Sequence, residues 1–191
     1  MSTSIILVSH ALTEWNIKKK IQGHRDVPLN STGRKMARLL ADRLREVEIS
    51  AIYSSDLSRA WQTAEPIAVL KELSIVQDSR LREGRSISQE TIGEYPVLAF
   101  NKEWEIEEEV LERMREVLSE IATMEIGRKV LVISHAKAIE LFIRDVLINS
   151  NLDPGLYLDK RSALNILNYS SGSWKAERLN DDNYLLIDGL Y

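Results

Sequence analysis

The sequence predicts one α/β domain with a largely parallel central sheet, and three observations carry that prediction. Short apolar runs alternate with stretches of helical periodicity, the pattern of βα units. Two of the runs, residues 5–8 (IILV) and 130–133 (VLVI), pass straight into the same tripeptide, Ser-His-Ala. Strands of a parallel sheet are buried on both faces and read as unbroken apolar runs, although length alone does not separate them from helix segments. Finally, 191 residues suit a single domain, residues 1–191, with a sizeable core.

The elements follow in order. After the first strand, residues 13–28 read as a polar loop punctuated by Gly23 and Pro28. Its histidine, His24, reads most simply as a surface residue. Asn30, Ser31 and Thr32 are candidate caps for a helix carrying Met36, Leu39, Leu40, Leu44 and Val47 at helical spacing. Residues 51–53 form a short strand, and Ser54-Ser55-Asp56 offers caps for a second helix with Leu57, Ala60, Trp61, Ala64, Ile67 and Ala68 on its apolar side. Pro66 is expected to kink that helix or mark its restart. Residues 75–76 make a third strand, pointing at Leu81-Arg82-Glu83-Gly84.

Residues 84–104, with Gly93 and Pro96, are expected to form short helical turns over one edge of the sheet. Residues 105–122 give the clearest helix, striped by Ile106, Val110, Met114, Val117, Leu118 and Ile121, with an acidic start suited to a helix N-terminus. Gly127 ends it. The strand 130–134 leads into a helix over residues 138–147. Residues 164–167 and 174–179 are two last strands joined at Ser171-Gly172-Ser173, either a hairpin or a strand leaving the sheet.

Composition narrows the function. A net charge of −4 gives no electrostatic case for a nucleic-acid partner. With no cysteine, disulfides, thiol chemistry and thiolate metal sites are excluded. No apolar run approaches a membrane span, and the first strand begins too early for a signal peptide, so a cytoplasmic protein is expected. No feature specifies an oligomeric state.

The chemistry collects at strand ends. His10 and His135 are two of only three histidines, and both sit where an apolar strand meets a helix or turn. Ligands of open parallel sheets bind outside those ends, so two residues far apart in sequence can share one pocket. Arg59, in the first turn after Ser54-Ser55, adds a forked cation to helix N-termini that already favour anions, pointing to phosphate or carboxylate. Glu83 follows the third strand at the rim. Each has a plainer reading: histidines held by structural hydrogen bonds, Arg59 paired with Asp56 or Glu65, Glu83 a surface carboxylate.

Several of these segments resemble one family. LVSHALTEWN (residues 7–16) is similar to LVRHGETxxN, the opening motif of the histidine phosphatase superfamily, which contains cofactor-dependent phosphoglycerate mutases and related phosphatases. Gln22-Gly23, Asp26, Pro28-Leu29 and Gly33 look like the family's loop into its first helix. AIYSSDLSRAWQTAEPIA (51–68) resembles the segment S-x-L-x-R-A-x-x-T-A and places its arginine at Arg59. Leu81-Arg82-Glu83 looks like the L-R-E that carries the acidic residue, and VLVISHA resembles V-x-V-S-H-G around the second histidine. The resemblance covers most of the first 145 residues in order and spacing. It implies a phosphoglycerate mutase-like, three-layer α/β/α sandwich.

It also implies a mechanism. His10 would be the nucleophile, forming a phosphohistidine. Glu83 would protonate the leaving oxygen and then take a proton from water, while Arg59 and His135 hold the transferring oxygens. Ser9, Asn16, Gln22 and Gly23 make up the substrate-binding set. No metal and no cofactor are implied, and the partner is a small phosphorylated substrate. The expected activity is therefore metal-independent hydrolysis of small phosphate esters. The alternatives are a phosphoglycerate mutase, or a catalytically impaired phosphate-binding or regulatory protein.

The departures bear on activity. Ser9 stands at the motif's arginine, Ala11 and Ala136 at its glycines, and Leu12 at its glutamate; the family's G-x-W-E-G run and its glycine-glutamate-serine loop are missing. A serine is a single neutral donor where an arginine brings a charged fork. Losing such a donor costs about a hundred- to a thousandfold in rate. Lys137 is the first candidate to replace that charge, followed by Arg25, Arg82 and Arg85.

Overall fold

The computed structural model describes residues 1–85, 105–155 and 157–186. Along the chain come β1 (Thr3–Ser9), α1 (Glu14–Ile17), α2 (Ser31–Arg43), β2 (Ala51–Ser54), α3 (Ser58–Lys71), β3 (Ile75–Gln77), a 3₁₀ turn (Ser79–Leu81), α4 (Glu107–Met124), β4 (Lys129–Ser134), α5 (Ala136–Asn149), β5 (Leu164–Ser170), β6 (Ser173–Asp181) and α6 (Asn183–Leu186). The six strands form one sheet in the order β3-β2-β4-β1-β5-β6. β1, β2, β3 and β4 run parallel; β5 and β6 are an antiparallel hairpin laid against β1. The sheet is thus mixed and mostly parallel. The last two strands form a hairpin, closed by Ser171 (φ 50) and Gly172 (φ 80), both in the left-handed region that tight two-residue turns require.

Period-two alternation divides the core. On β1, Ile5 and Leu7 pack with Met114, Leu118, Phe142 and Ile143 of α4 and α5. Ile6 and Val8 face Met36, Leu40, Ala64 and Ile67 of α2 and α3. Helices on both faces of the sheet leave its carboxyl edge as the open end, where β1, β4 and β2 finish side by side. There the ladder continues: His10 N donates to Ser134 O at 2.9 Å and Ser55 N to Ile133 O at 2.9 Å.

Three local expectations change. α3 is not capped by Ser54, Ser55 or Asp56. Its N-cap, Leu57, has no side-chain bond, and the next N–H, that of Ser58, is taken at 2.7 Å by Asp26 from the loop before α2. Asp56 is instead held by Arg82, whose Nε donates at 2.7 Å. α3 also does not restart at Pro66: it is one helix from Ser58 to Lys71. Proline removes one helical hydrogen bond, but the packing of Ala60, Ala64, Ile67 and Ala68 against the sheet continues across it. Third, the loop over residues 13–28 contains α1, whose N-cap Thr13 forms a capping box with Asn16. A bridge between Thr13 and Leu29 closes that loop at its base. The turns expected over 84–104 fall almost wholly outside the described residues.

Gly33 shows how tightly α2 enters beneath β1. A Cβ there would lie 2.0 Å from the Leu12 carbonyl oxygen, so only glycine lets the helix start this close to the loop backbone. Asn30 caps α2 by accepting from Gly33 N at 2.8 Å.

Candidate active site

Three neighbouring strands each deliver one group. His10 directly follows β1, His135 follows β4 and Ser55 follows β2. The imidazoles of His10 and His135 meet edge to face with centroids 5.2 Å apart. His10 Nδ1 lies 2.7 Å from the Ala11 carbonyl oxygen. A carbonyl only accepts, so Nδ1 carries the proton and Nε2 keeps its lone pair when the ring is neutral. The ring is held neutral: burial, then the charges of Arg161 and Arg59, push the His10 pKa well below the ordinary histidine value, against the pull of the Ala11 carbonyl.

His135 is fully buried, and its pKa is pushed well down by burial and then by Arg59. Its Nε2 lies 2.9 Å from Ser55 Oγ. That hydroxyl also accepts Leu57 N–H at 3.4 Å, and as both donor and acceptor it can meet either state of Nε2. Nδ1 of His135 is buried without a hydrogen-bond partner among the described residues. A buried polar atom in that state costs about 1–3 kcal/mol until it gains a partner.

A cavity of about 370 Å³ opens beside these rings, within the range that takes a small ligand. Of the residues expected from sequence, His10, Asn16, Gln22, Gly23, Arg59 and Glu83 line it. His135 is not among the lining residues; its ring meets that of His10, which is. Ser9 does not line it: fully buried, its Oγ accepts Ser162 N–H at 3.1 Å.

Arg59 is wholly buried, and both arms of its fork are engaged, Nη1 to Arg25 O and Nη2 to Gly23 O, each at 2.7 Å. Burial lowers its pKa to about 10, with Glu83 and Asp26 opposing, so it remains charged at neutral pH. It clamps the loop and contributes charge; Nε has no partner among the described residues, and those two carbonyls use only one N–H of each arm. Asn16 Oδ1 accepts from Thr13 N at 3.0 Å and Thr13 Oγ1 at 2.9 Å, and Gln22 Oε1 lies 3.0 Å from the same hydroxyl. Thr13 N fixes the Asn16 oxygen, which leaves the Asn16 N–H groups for the cavity; the single Thr13 hydroxyl hydrogen serves only one of the two amide oxygens at a time.

Glu83 Oε1 accepts from Gly84 N at 3.3 Å and from Ala138 N, in the first turn of α5, at 3.2 Å. Burial nonetheless wins and raises its pKa above the usual carboxylate range, against these N–H groups and the charge of Arg59. Its backbone carbonyl is braced from two sides, by His24 Nε2 at 2.8 Å and Arg113 Nη2 at 3.1 Å. His24 is therefore half-buried and bound to the site's acidic residue, not a surface bystander. Because the Glu83 carbonyl accepts, Nε2 of His24 carries a proton.

The four cations considered for the missing charge are placed differently. Lys137 lines the cavity, but its ammonium pairs with Glu107 at 2.9 Å and Glu140 at 3.4 Å. Arg82 is committed to Asp56, Arg25 lies over the Trp15 ring at 5.5 Å, and Arg85 lines the outer wall. The sequence reading missed Arg161 and Arg113. Arg161 lines the cavity, with Nη1 3.4 Å from the His10 carbonyl oxygen. Its signal was its place just before β5: an antiparallel neighbour of β1 starts where β1 ends.

Fold and site together define an α/β protein with two neutral imidazoles beside a guanidinium-lined cavity at the sheet's carboxyl edge, the layout of a site for anions. The chain belongs to the histidine phosphatase superfamily, branch 1, whose family model matches residues 5–182. Over its near-full length it is similar to the uncharacterized phosphatase PhoE of Bacillus subtilis (strain 168), 28% identical across 96% of this chain and 97% of that protein. An 81-residue stretch is 49% identical to phosphoglycerate mutase-like protein 4 of Arabidopsis thaliana, covering 41% of this chain and 35% of that protein. Among solved structures, YhfR of Bacillus stearothermophilus shares the fold with a TM-score of 0.81 at 23% identity, over 96% of this chain and 99% of that one. Among the described residues, no helix is long and apolar enough to cross a membrane.

Proposed function

We propose that this protein hydrolyses small phosphate monoesters through a phosphohistidine on His10, using no metal. The observation that carries the reading is the state of His10: a neutral ring on the cavity wall whose Nδ1 proton is given to Ala11, leaving Nε2 as the nucleophile. In the first step Nε2 attacks phosphorus, the ester P–O bond breaks, and Glu83, whose pKa burial raises, gives its proton to the departing alkoxide. In the second, the Glu83 carboxylate takes a proton from water as the water oxygen attacks phosphorus. The N–P bond breaks and phosphate leaves. His135, the amide N–H groups of Asn16 and the charge of Arg59 stabilise the three transferring oxygens.

Position 9, where the family resemblance expects an arginine, is the point at which this chain differs most from the motif. It is also the reason for testing turnover and phosphate binding separately. The experiment measures release of p-nitrophenol from its phosphate ester in the presence of EDTA, for the parent and His10→Ala, together with capture of phosphate on the protein in an acid-labile form. Turnover in chelator, lost in His10→Ala along with the label, is the expected result. Undiminished turnover in His10→Ala would refute the assigned nucleophile. Phosphate binding without any turnover in the parent would favour the binding-protein alternative.

A further inference from the structure

We propose that Arg161 supplies the second guanidinium that holds the phosphoryl group over His10, and that Ser9 is the residue that positions it. The inference rests on the phosphate chemistry proposed for this site. A phosphoryl group in transfer spreads its charge over three oxygens, and binding them calls for donors aimed inward from more than one side. Arg59 alone does not surround them: each arm of its fork spends one N–H on a carbonyl, of Arg25 or Gly23, and its charge comes from one side. Lys137 shares its charge between two carboxylates. Arg161 approaches from the opposite flank, off the loop between α5 and β5. It lines the cavity, and its Nη1 lies 3.4 Å from the His10 carbonyl oxygen, beside the proposed nucleophile.

The loop carrying it is a built feature. Ser9, at the last position of β1, accepts Ser162 N–H, and its hydroxyl hydrogen faces the carboxyl of Asp159. Asp159 Oδ1 also accepts from Asn165 Nδ2 at 3.0 Å and Tyr157 OH at 3.2 Å, so the residues flanking Arg161 are fastened to β1 and β5. Ser162 holds φ 60, a left-handed backbone unusual for serine, and its carbonyl accepts from the Tyr184 hydroxyl. Residues in that region persist when their surroundings over-determine them. Here the surroundings are Ser9 on one side and α6 on the other. A serine fits position 9 because its short side chain receives the loop; a long side chain would occupy the space that the loop backbone fills. The charge absent at position 9 thus returns from a residue 152 positions later, carried by the edge hairpin.

The test is calorimetric titration with inorganic phosphate, alongside turnover of p-nitrophenyl phosphate, for the parent, Arg161→Ala, Arg161→Gln, Arg161→Lys, Ser9→Ala and the double variant Ser9→Ala/Arg161→Ala. Thermal melts check that each folds. Arg161→Ala should weaken phosphate binding about tenfold or more, the scale of losing a charged hydrogen-bond donor. Arg161→Gln should lose as much, and Arg161→Lys should recover part. Ser9→Ala should also weaken binding, yet add nothing in the Arg161→Ala background, a non-additivity that a merely structural serine would not show. Phosphate affinity unchanged in both folded Arg161→Ala and Arg161→Gln would overturn the inference, even if the parent is an active phosphatase. A parent that binds phosphate through Arg161 but turns over no ester would leave the inference standing and refute the proposed hydrolysis. A parent that binds no phosphate at millimolar concentration would overturn both.

Discussion

The neutrality of His10 and His135 has a consequence for stability that can be measured without any substrate. Both rings are at most 3% exposed, and both pKa values lie well below the ordinary 6.5. In the unfolded chain each imidazole protonates near 6.5; in the folded protein it stays neutral. A histidine whose folded pKa is lowered contributes stability that is present above the unfolded pKa and lost as pH falls through it. At about pH 5 each ring should therefore have cost up to about 2 kcal/mol of stability relative to about pH 7.5. Two carboxyls work in the other direction. Asp159, pushed up to about 6 chiefly by burial, and Glu83, raised by burial, are penalised when ionised and lose that penalty on acidification. The parent's own pH curve is thus a difference of opposing contributions, and the histidine share needs a variant to isolate it. Urea unfolding of the parent and of His10→Asn at the two pH values gives that share. The loss on acidification should be smaller in His10→Asn, by up to about 2 kcal/mol, whatever the variant's stability at neutral pH. An acid-induced loss of the same size in parent and variant would show that His10 titrates normally in the folded protein. It would then be charged in part near pH 6, and the case for an unprotonated Nε2 would fail.

Two further predictions follow from single residues. Glu83→Gln should keep the hydrogen bonds to Gly84 and Ala138 while removing the proton donor. Hydrolysis of an alkyl phosphate, whose leaving oxygen needs the proton, should fall about a hundred- to ten-thousandfold. p-Nitrophenyl phosphate should suffer much less in its first step, and equal losses on the two esters would remove Glu83 from the general-acid role. Gly33→Ala should destabilise the fold by about 1–3 kcal/mol or more, because its Cβ meets backbone, the Leu12 carbonyl oxygen at 2.0 Å, rather than a side chain that can turn away. A melting temperature equal to the parent's would contradict that packing.

The parallel half of the sheet was legible because burial on both faces writes itself as apolar runs. Residues 5–8 and 130–133 became β1 and β4, which pair in register from Ser4–Lys129 to Ser9–Ser134. Helix periodicity located α2, α4 and α5 for the same reason, since each has one face against the sheet. Capping was less legible. The sequence offers Ser54, Ser55 and Asp56 next to α3, but the group that serves is Asp26, 32 residues upstream. A cap delivered from another loop leaves no local mark. The same holds for α1, which is only four residues long and exists through the Thr13–Asn16 capping box rather than an apolar stripe.

At the site, the division falls between residues attached to strand ends and residues attached to other residues. His10 and His135 could be read because each ends an apolar strand, and two strands in one parallel sheet present their ends on one edge. His24 could not, because its place is set by a contact with the Glu83 carbonyl across 59 residues of chain. Arg161 belongs to the second kind as well, with one difference. The two last strands were recognised, and what was missing was only their neighbour. Once β5 is known to run antiparallel to β1, Leu7 pairs with Asn165, and the residues before Asn165 must pass the carboxyl end of β1. A parallel strand in that place would have delivered its far end, after Ser170, to the site. The direction of one edge strand therefore decides which part of the C-terminal region meets His10, and here it brings Asp159, Arg161 and Ser162 to the buried hydroxyl of Ser9.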